Sequence, residues 1–125
     1  PLWLCHGPGA DIERLRAWEG LGAKLLPCAV RGVQLDAADI LQQLGKAGLT
    51  RVFCEGGGAL AASLLASDLV DELVGYTAGL GIGAEGLPMI GTLGLTRLEQ
   101  APRFQLIETR QVGQDVEHRW TRSLR

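Results

Sequence analysis

Short apolar runs alternate with amphipathic segments through the first half of this chain. That alternation limits the possible folds more than any single residue does. Leu2-Trp3-Leu4-Cys5 is stopped by Gly7-Pro8-Gly9 and reads as a buried strand followed by a turn. Residues 11–18 place Ile12, Leu15 and Trp18 at helical spacing, with Glu13, Arg14 and Arg16 opposite, and Gly20 to Gly22 end that helix. Residues 23–28 read as a second strand. Residues 36–47 form the clearest helix: Asp36 can cap it, Ile40, Leu41, Leu44 and Ala47 make its apolar face, and Gly48 stops it. Val52-Phe53-Cys54 reads as a third buried strand, and residues 60–67 as a third helix with Leu60, Leu64 and Leu65 inward. Strand then helix, three times over, implies parallel strands with helices packed on their faces. Residues 72–77 supply a fourth strand. A glycine-rich stretch, residues 79–94, follows and holds the apolar piece Leu87-Pro88-Met89-Ile90. The chain closes with two runs, 104–112 and 116–122, around Gly113-Gln114-Asp115, an antiparallel hairpin at a sheet edge. The reading is one unit, a single domain over residues 1–125.

Charge and cysteine usage then exclude whole classes of function. Twelve basic against fourteen acidic side chains give a net charge of −2, which offers no electrostatic footprint for nucleic acid. The apolar runs are only a few residues long, far below the ~20 that span a bilayer, so no membrane partner is expected. The opening Pro1-Leu2-Trp3 carries no basic leader, and a cytoplasmic location is expected. Cys5, Cys28 and Cys54 are odd in number and sit in apolar segments, as reduced core thiols do. Neither the cysteines nor His6 and His118 have metal-binding spacing, so no metal site is expected. His6 ends a strand, and His118 shares a strand face with Val116 and Trp120, where a hydrogen-bonded core histidine is the ordinary reading.

The densest chemical signal is Arg51-Val52-Phe53-Cys54-Glu55-Gly56-Gly57-Gly58-Ala59-Leu60-Ala61, a strand ending in an acid, then three glycines, then a helix. The first amides of a helix lack partners inside it, and the helix dipole adds positive potential there. Glycines let an anion come close to that backbone, and a phosphate or pyrophosphate is the natural guest. A tight strand-to-helix turn with no ligand has the same composition, and both readings stand at this point. Glu55 lies where open α/β sheets bind ligands, at the carboxyl end of a strand. It can also serve simply as a charge beside a helix start. Gly56-x-Gly58-x-x-Ala61 matches the dinucleotide fingerprint in form, but the next strand ends Gly75-Tyr76-Thr77 without the acid that binds ribose. Gly45-Lys46-Ala47 is no Walker loop. Ser63 and Ser67 have no nucleophile-elbow setting.

With Cys54-Glu55-Gly56-Gly57-Gly58-Ala59-Leu60-Ala61-Ala62-Ser63-Leu64-Leu65 followed by Leu69-Val70-Asp71-Glu72-Leu73, the chain resembles the reductase-domain family of bifunctional riboflavin-biosynthesis deaminase/reductases, the RibD type. Leu93 to Leu98 and the turn Val112-Gly113-Gln114-Asp115-Val116 continue the likeness. The resemblance implies a dihydrofolate-reductase-like fold: α/β, three-layer α/β/α on a mixed sheet with a C-terminal antiparallel hairpin, the N-terminal part of the domain missing. It implies NADPH as cofactor and reduction of the phosphoribosylaminopyrimidine 5-amino-6-(5-phosphoribosylamino)uracil to its ribityl product, with a fragment of reduced or no activity alone. By that pattern Glu55 would contact substrate, while Gly56, Gly57, Gly58, Ala59, Leu60, Ala61, Ala62 and Ser63 would surround the NADPH phosphates. No catalytic proton donor is assigned. The chain departs from the family at Ala78-Gly79-Leu80-Gly81, where a lysine-bearing stretch is usual. A homo-oligomer is expected as well. Two other readings remain: a reductase of the same fold acting on a pterin or another heterocycle, and a non-catalytic α/β module that self-associates through its sheet edge and hairpin.

Overall fold

In the computed structural model, residues 1–123 are described, and they divide into two compact units, one over Pro1–Cys54 and one from Glu55 onward. The class is α/β. In the first unit, β1 (Trp3–His6) pairs in parallel with β2 (Lys24–Pro27), the right arrangement for strands joined by a crossover helix, α1 (Ile12–Gly20). Asp11 caps α1, its carboxylate accepting from the amides of Glu13 and Arg14 at 2.8 and 3.1 Å. A small hairpin not foreseen in the sequence follows, β3 (Val30–Arg31) against β4 (Gln34–Leu35), turning at Gly32 with φ +66. Asp36 then caps α2 (Ala37–Lys46) through the amides of Ala38 and Asp39. Ala23, Leu26, Cys28 and Ala37 are the buried apolar residues of this unit. Burial, then the adjacent Cys5 thiol, push the Cys28 thiol up to about 11, so it stays protonated and structural.

Three expectations fail here. Val52-Phe53-Cys54 is not a strand: no described strand pairs with it, Phe53 is 78% exposed, and Cys54 is an exposed thiol rather than a core one. A central strand is held by neighbours on both sides, so an apolar run without a ladder partner has nothing to fix it. Ile12 and Trp18, placed inward by their spacing, are also exposed, since α1 buries none of its residues.

The second unit begins with α3 (Gly58–Ala66), whose Ala62 and Leu65 are buried while Leu60, expected inward, is not. The helix exits through Asp68, left-handed at φ +57, with the Leu69 amide on the Leu64 carbonyl and the Asp68 amide on the Leu65 carbonyl. β5 (Glu72–Thr77), β6 (Phe104–Val112) and β7 (Asp115–Arg122) form one antiparallel sheet in the order β5-β7-β6. The expected terminal hairpin is therefore present, and its second strand also pairs with β5. Arg122 ties β7 to the helix exit, donating to the Val70 carbonyl at 2.9 Å and to the Asp68 carbonyl, with an ion pair to the Asp68 carboxylate. Between β5 and β6 the chain makes only two short 3-10 turns, Gly83–Glu85 and Leu98–Gln100, and Leu87 stays exposed. Among the described residues no helix is long and apolar enough to cross a membrane.

Candidate functional site

Three consecutive glycines introduce α3, and each meets different surroundings. A Cβ on Gly58 would lie 2.7 Å from the Pro88 carbonyl oxygen and 3.2 Å from both the Gly91 nitrogen and the Met89 carbonyl oxygen. Gly58 is therefore glycine because the protein's own main chain, residues 88–91, packs on it. The Gly91 amide fastens that contact by donating to the Gly58 carbonyl at 2.9 Å. Gly56 faces the side chain of Leu60, whose Cδ2 would be 2.6 Å from an added Cβ. Gly57 alone has nothing within 4 Å of the place a Cβ would take.

Gly57 is also the residue that caps α3. Its backbone is extended, φ −68 and ψ 174, and it contributes no side-chain hydrogen bond. α1 and α2 each begin on an aspartate that occupies their leading amides; α3 begins on a residue that cannot. The Leu60 and Ala61 amides turn back to the Gly57 carbonyl at 3.0 and 3.1 Å. The amides of Gly58 and Ala59, first in the helix, have no carbonyl one turn earlier within it. No acid stands in the first turn to cancel the dipole. The result is an uncapped, positively polarised helix start beside open space, which suits a phosphate group.

The remaining sequence candidates are arranged around this point with differing exposure. Glu55 is exposed, two residues ahead of the cap. Ala59 and Leu60 are exposed and Ala61 half-buried, whereas Ala62 is 6% exposed and Ser63 is partly covered, so the side chains further along the helix turn toward protein.

A polar constellation that sequence spacing did not reveal lies on the sheet. Glu117 is buried, and its Oε2 accepts from Tyr76 Oη at 2.8 Å and from Arg110 Nη2 at 2.7 Å. The register brings this about: Tyr76 and Arg110 stand opposite Glu117 on its two flanking strands. Arg110, then Tyr76, hold the Glu117 carboxyl below the usual carboxylate range, and the same hydrogen bond from Tyr76 raises the tyrosine hydroxyl. On the opposite face His118 is hydrogen-bonded, as expected, but half-buried rather than in the core. Trp120 Nε1, a donor only, gives its proton to His118 Nδ1 at 2.9 Å. Nε2 must then carry the ring proton, and it donates to Thr77 Oγ1 at 3.0 Å. Gly75 makes this possible, because a Cβ there would run into the imidazole, 2.9 Å from Nδ1.

Comparison with known proteins adds the family context. The model of the RibD C-terminal domain family matches residues 8–117. The riboflavin biosynthesis protein RibD of Escherichia coli K12 is 36% identical over 104 residues, covering 83% of this chain and 28% of its own length. The 5-amino-6-(5-phosphoribosylamino)uracil reductase of Buchnera aphidicola from Acyrthosiphon pisum is 28% identical over 83 residues, or 66% of this chain and 40% of that protein. The chain thus spans well under half the length of these relatives. Among solved structures, a pyrimidine reductase-like protein from Corynebacterium diphtheriae superposes with a TM-score of 0.77 at 18% identity, covering 98% of this chain and 50% of that one.

Proposed function

The chain belongs to the RibD C-terminal domain family, and from that premise we propose that it is part of an NADPH-dependent reductase acting on 5-amino-6-(5-phosphoribosylamino)uracil in riboflavin biosynthesis. The observation that carries the cofactor half of this reading is the open cap of α3. A phosphate of the dinucleotide would sit at Gly57, against the amides of Gly58 and Ala59, with Gly56 and the first turn, exposed at Ala59 and Leu60 and half-buried at Ala61, forming its surround. Ala62 and Ser63 would act one turn further in, by placing that first turn rather than by touching the guest. Gly58 has a second task, since its close approach to residues 88–91 fixes the angle at which the helix start is presented. Glu55, exposed just ahead of the cap, is the residue to contact substrate.

The bound nicotinamide would supply the hydride that reduces the opened ribosyl carbon. The chain's own part is to hold the dinucleotide by its phosphates and to set Glu55 beside the sugar, positioning that contributes by lowering the entropy of the encounter. Titrating the 125-residue chain with NADPH while following its three tryptophans tests the reading. A saturable change is expected, weakened when inorganic pyrophosphate competes. No saturable change up to millimolar NADPH would overturn it.

A further inference from the structure

The two hydrogen bonds of His118 run in one direction. Trp120 Nε1 can only donate, so His118 Nδ1 accepts at 2.9 Å, and Nε2 carries the proton that goes to Thr77 Oγ1 at 3.0 Å. The register builds this row. Gly75 stands opposite His118, and without a Cβ there the imidazole lies across β5 and reaches Thr77, two residues on. A hydroxyl accepts through its lone pairs and has a single proton to give. With His118 donating to its oxygen, Thr77 must send that proton elsewhere, and among the described residues none accepts it. Thr77 is exposed. The series of donors therefore ends on a hydroxyl that offers its hydrogen to whatever lies beyond the end of β5.

The fold puts that end of β5 at the start of α3. Residues 67–71 join the two elements, and Arg122 holds this exit at the end of the sheet where Glu72 pairs with Thr121. Thr77 stands at the other end of the strand. From the shared exit, α3 reaches back about 13 Å over its nine residues and β5 about 17 Å from Glu72 to Thr77, so they span similar lengths. Residues 78–91 then lead from Thr77 to the main chain that rests on Gly58. The outward donor and the open cap at Gly57 thus share one end of this unit.

We propose that the Thr77 hydroxyl donates to a phosphate oxygen of the dinucleotide, and that His118 and Trp120 are positioning residues that keep it a donor; the proposal rests on the reading of the α3 start as the cofactor site. A phosphate oxygen only accepts, so it is served by a hydroxyl whose proton is always available. Thr77 alone would not guarantee that. If the imidazole carried its proton on Nδ1, Nε2 would accept, and the hydroxyl would turn its hydrogen back into the sheet. Trp120 forbids this tautomer, because two N–H groups cannot face each other across 2.9 Å. An indole that never touches the ligand thereby sets the direction of a bond that does.

Calorimetric titration of NADPH into the full chain and its variants, with nitrogen-15 spectra of the histidine ring, tests the proposal. At about pH 8, His118 should show the tautomer protonated on Nε2, its signal identified in a His6→Gln background that leaves one histidine. Thr77→Val, close in shape but without the hydroxyl, should bind NADPH at least about tenfold more weakly, the worth of a hydrogen bond to a charged group. Thr77→Ser should recover most of that loss. Trp120→Phe should shift the ring toward the Nδ1–H tautomer and weaken binding when Thr77 is present, yet change nothing further in a Thr77→Val background. An Nδ1–H ring in the parent, equal affinities for Thr77→Val and the parent, or the same effect of Trp120→Phe with and without Thr77 would each overturn this proposal and leave the cofactor reading standing. A parent chain that binds no NADPH would overturn both.

Discussion

Substituting alanine at two adjacent glycines, Gly57 and Gly58, should give opposite results. At Gly58 the new methyl meets main chain on three sides, 2.7 Å from the Pro88 oxygen and 3.2 Å from atoms of Met89 and Gly91. Backbone atoms cannot swing aside as a side-chain tip can, so an overpacking penalty of about 1–3 kcal/mol applies. Moving residues 88–91 away would sacrifice the Gly91–Gly58 hydrogen bond, worth about 1 kcal/mol. Alanine returns roughly 0.4–1 kcal/mol by stiffening the unfolded chain. The net loss is about 2 kcal/mol. With a urea slope of ~2 kcal/mol/M, the unfolding midpoint should fall by about 1 M. At Gly57 the methyl meets nothing within 4 Å and the backbone is ordinary extended geometry. The weaker capping by alanine and the entropy gain nearly cancel there, leaving a change within about 0.5 kcal/mol. Circular dichroism during urea titration measures both. Equal midpoints for the two variants, or a larger loss at Gly57, would refute the assignment of separate tasks to these glycines.

Tyr76 is the sole tyrosine of the chain, so its phenolate absorbance reports one group; it should titrate above the ordinary value near 10, and Glu117→Gln should bring it back down. The Glu117 carboxyl is depressed, so its contribution is present above the unfolded carboxylate value and is lost as pH falls through the lower folded one. The parent should therefore lose stability below about pH 4 more steeply than Glu117→Gln, as acid unfolding followed by circular dichroism would show. Gly75→Ala should displace the His118 ring from both Thr77 and Trp120 and lower stability by about 1–3 kcal/mol, with a change in tryptophan emission. Asp36→Ala removes the acceptor for two leading amides of α2 and should cost about 1 kcal/mol in thermal or urea unfolding.

Features governed by near neighbours in the chain were legible from residues alone. Asp36 caps the helix it precedes, the terminal hairpin turns at Gly113 with φ +63, and His6 ends its strand. These depend on local backbone chemistry, which a sequence carries in full. Val52-Phe53-Cys54 shows the limit: its composition suits a buried strand, yet strand formation is decided by a partner elsewhere. Glu117 illustrates the same point. Its burial goes with Tyr76 and Arg110, residues 41 and 7 positions away that meet it only through the register. The glycine run was recognisable as a place of close approach. That Gly58 approaches the protein itself while Gly57 faces open space required the path of residues 88–91.

Calorimetric titration of NADPH into the parent chain and into Gly57→Asp tests most directly whether the start of α3 holds the dinucleotide. Aspartate is a favoured cap, and at Gly57's extended geometry its carboxylate would take the leading amides as Asp11 and Asp36 do in α1 and α2. It would also put a negative charge where a phosphate is to sit. The variant should unfold at equal or higher urea than the parent and yet bind NADPH at least about tenfold more weakly, a difference of ~1.4 kcal/mol. Undiminished NADPH affinity in a folded Gly57→Asp chain would contradict a phosphate site at that helix start.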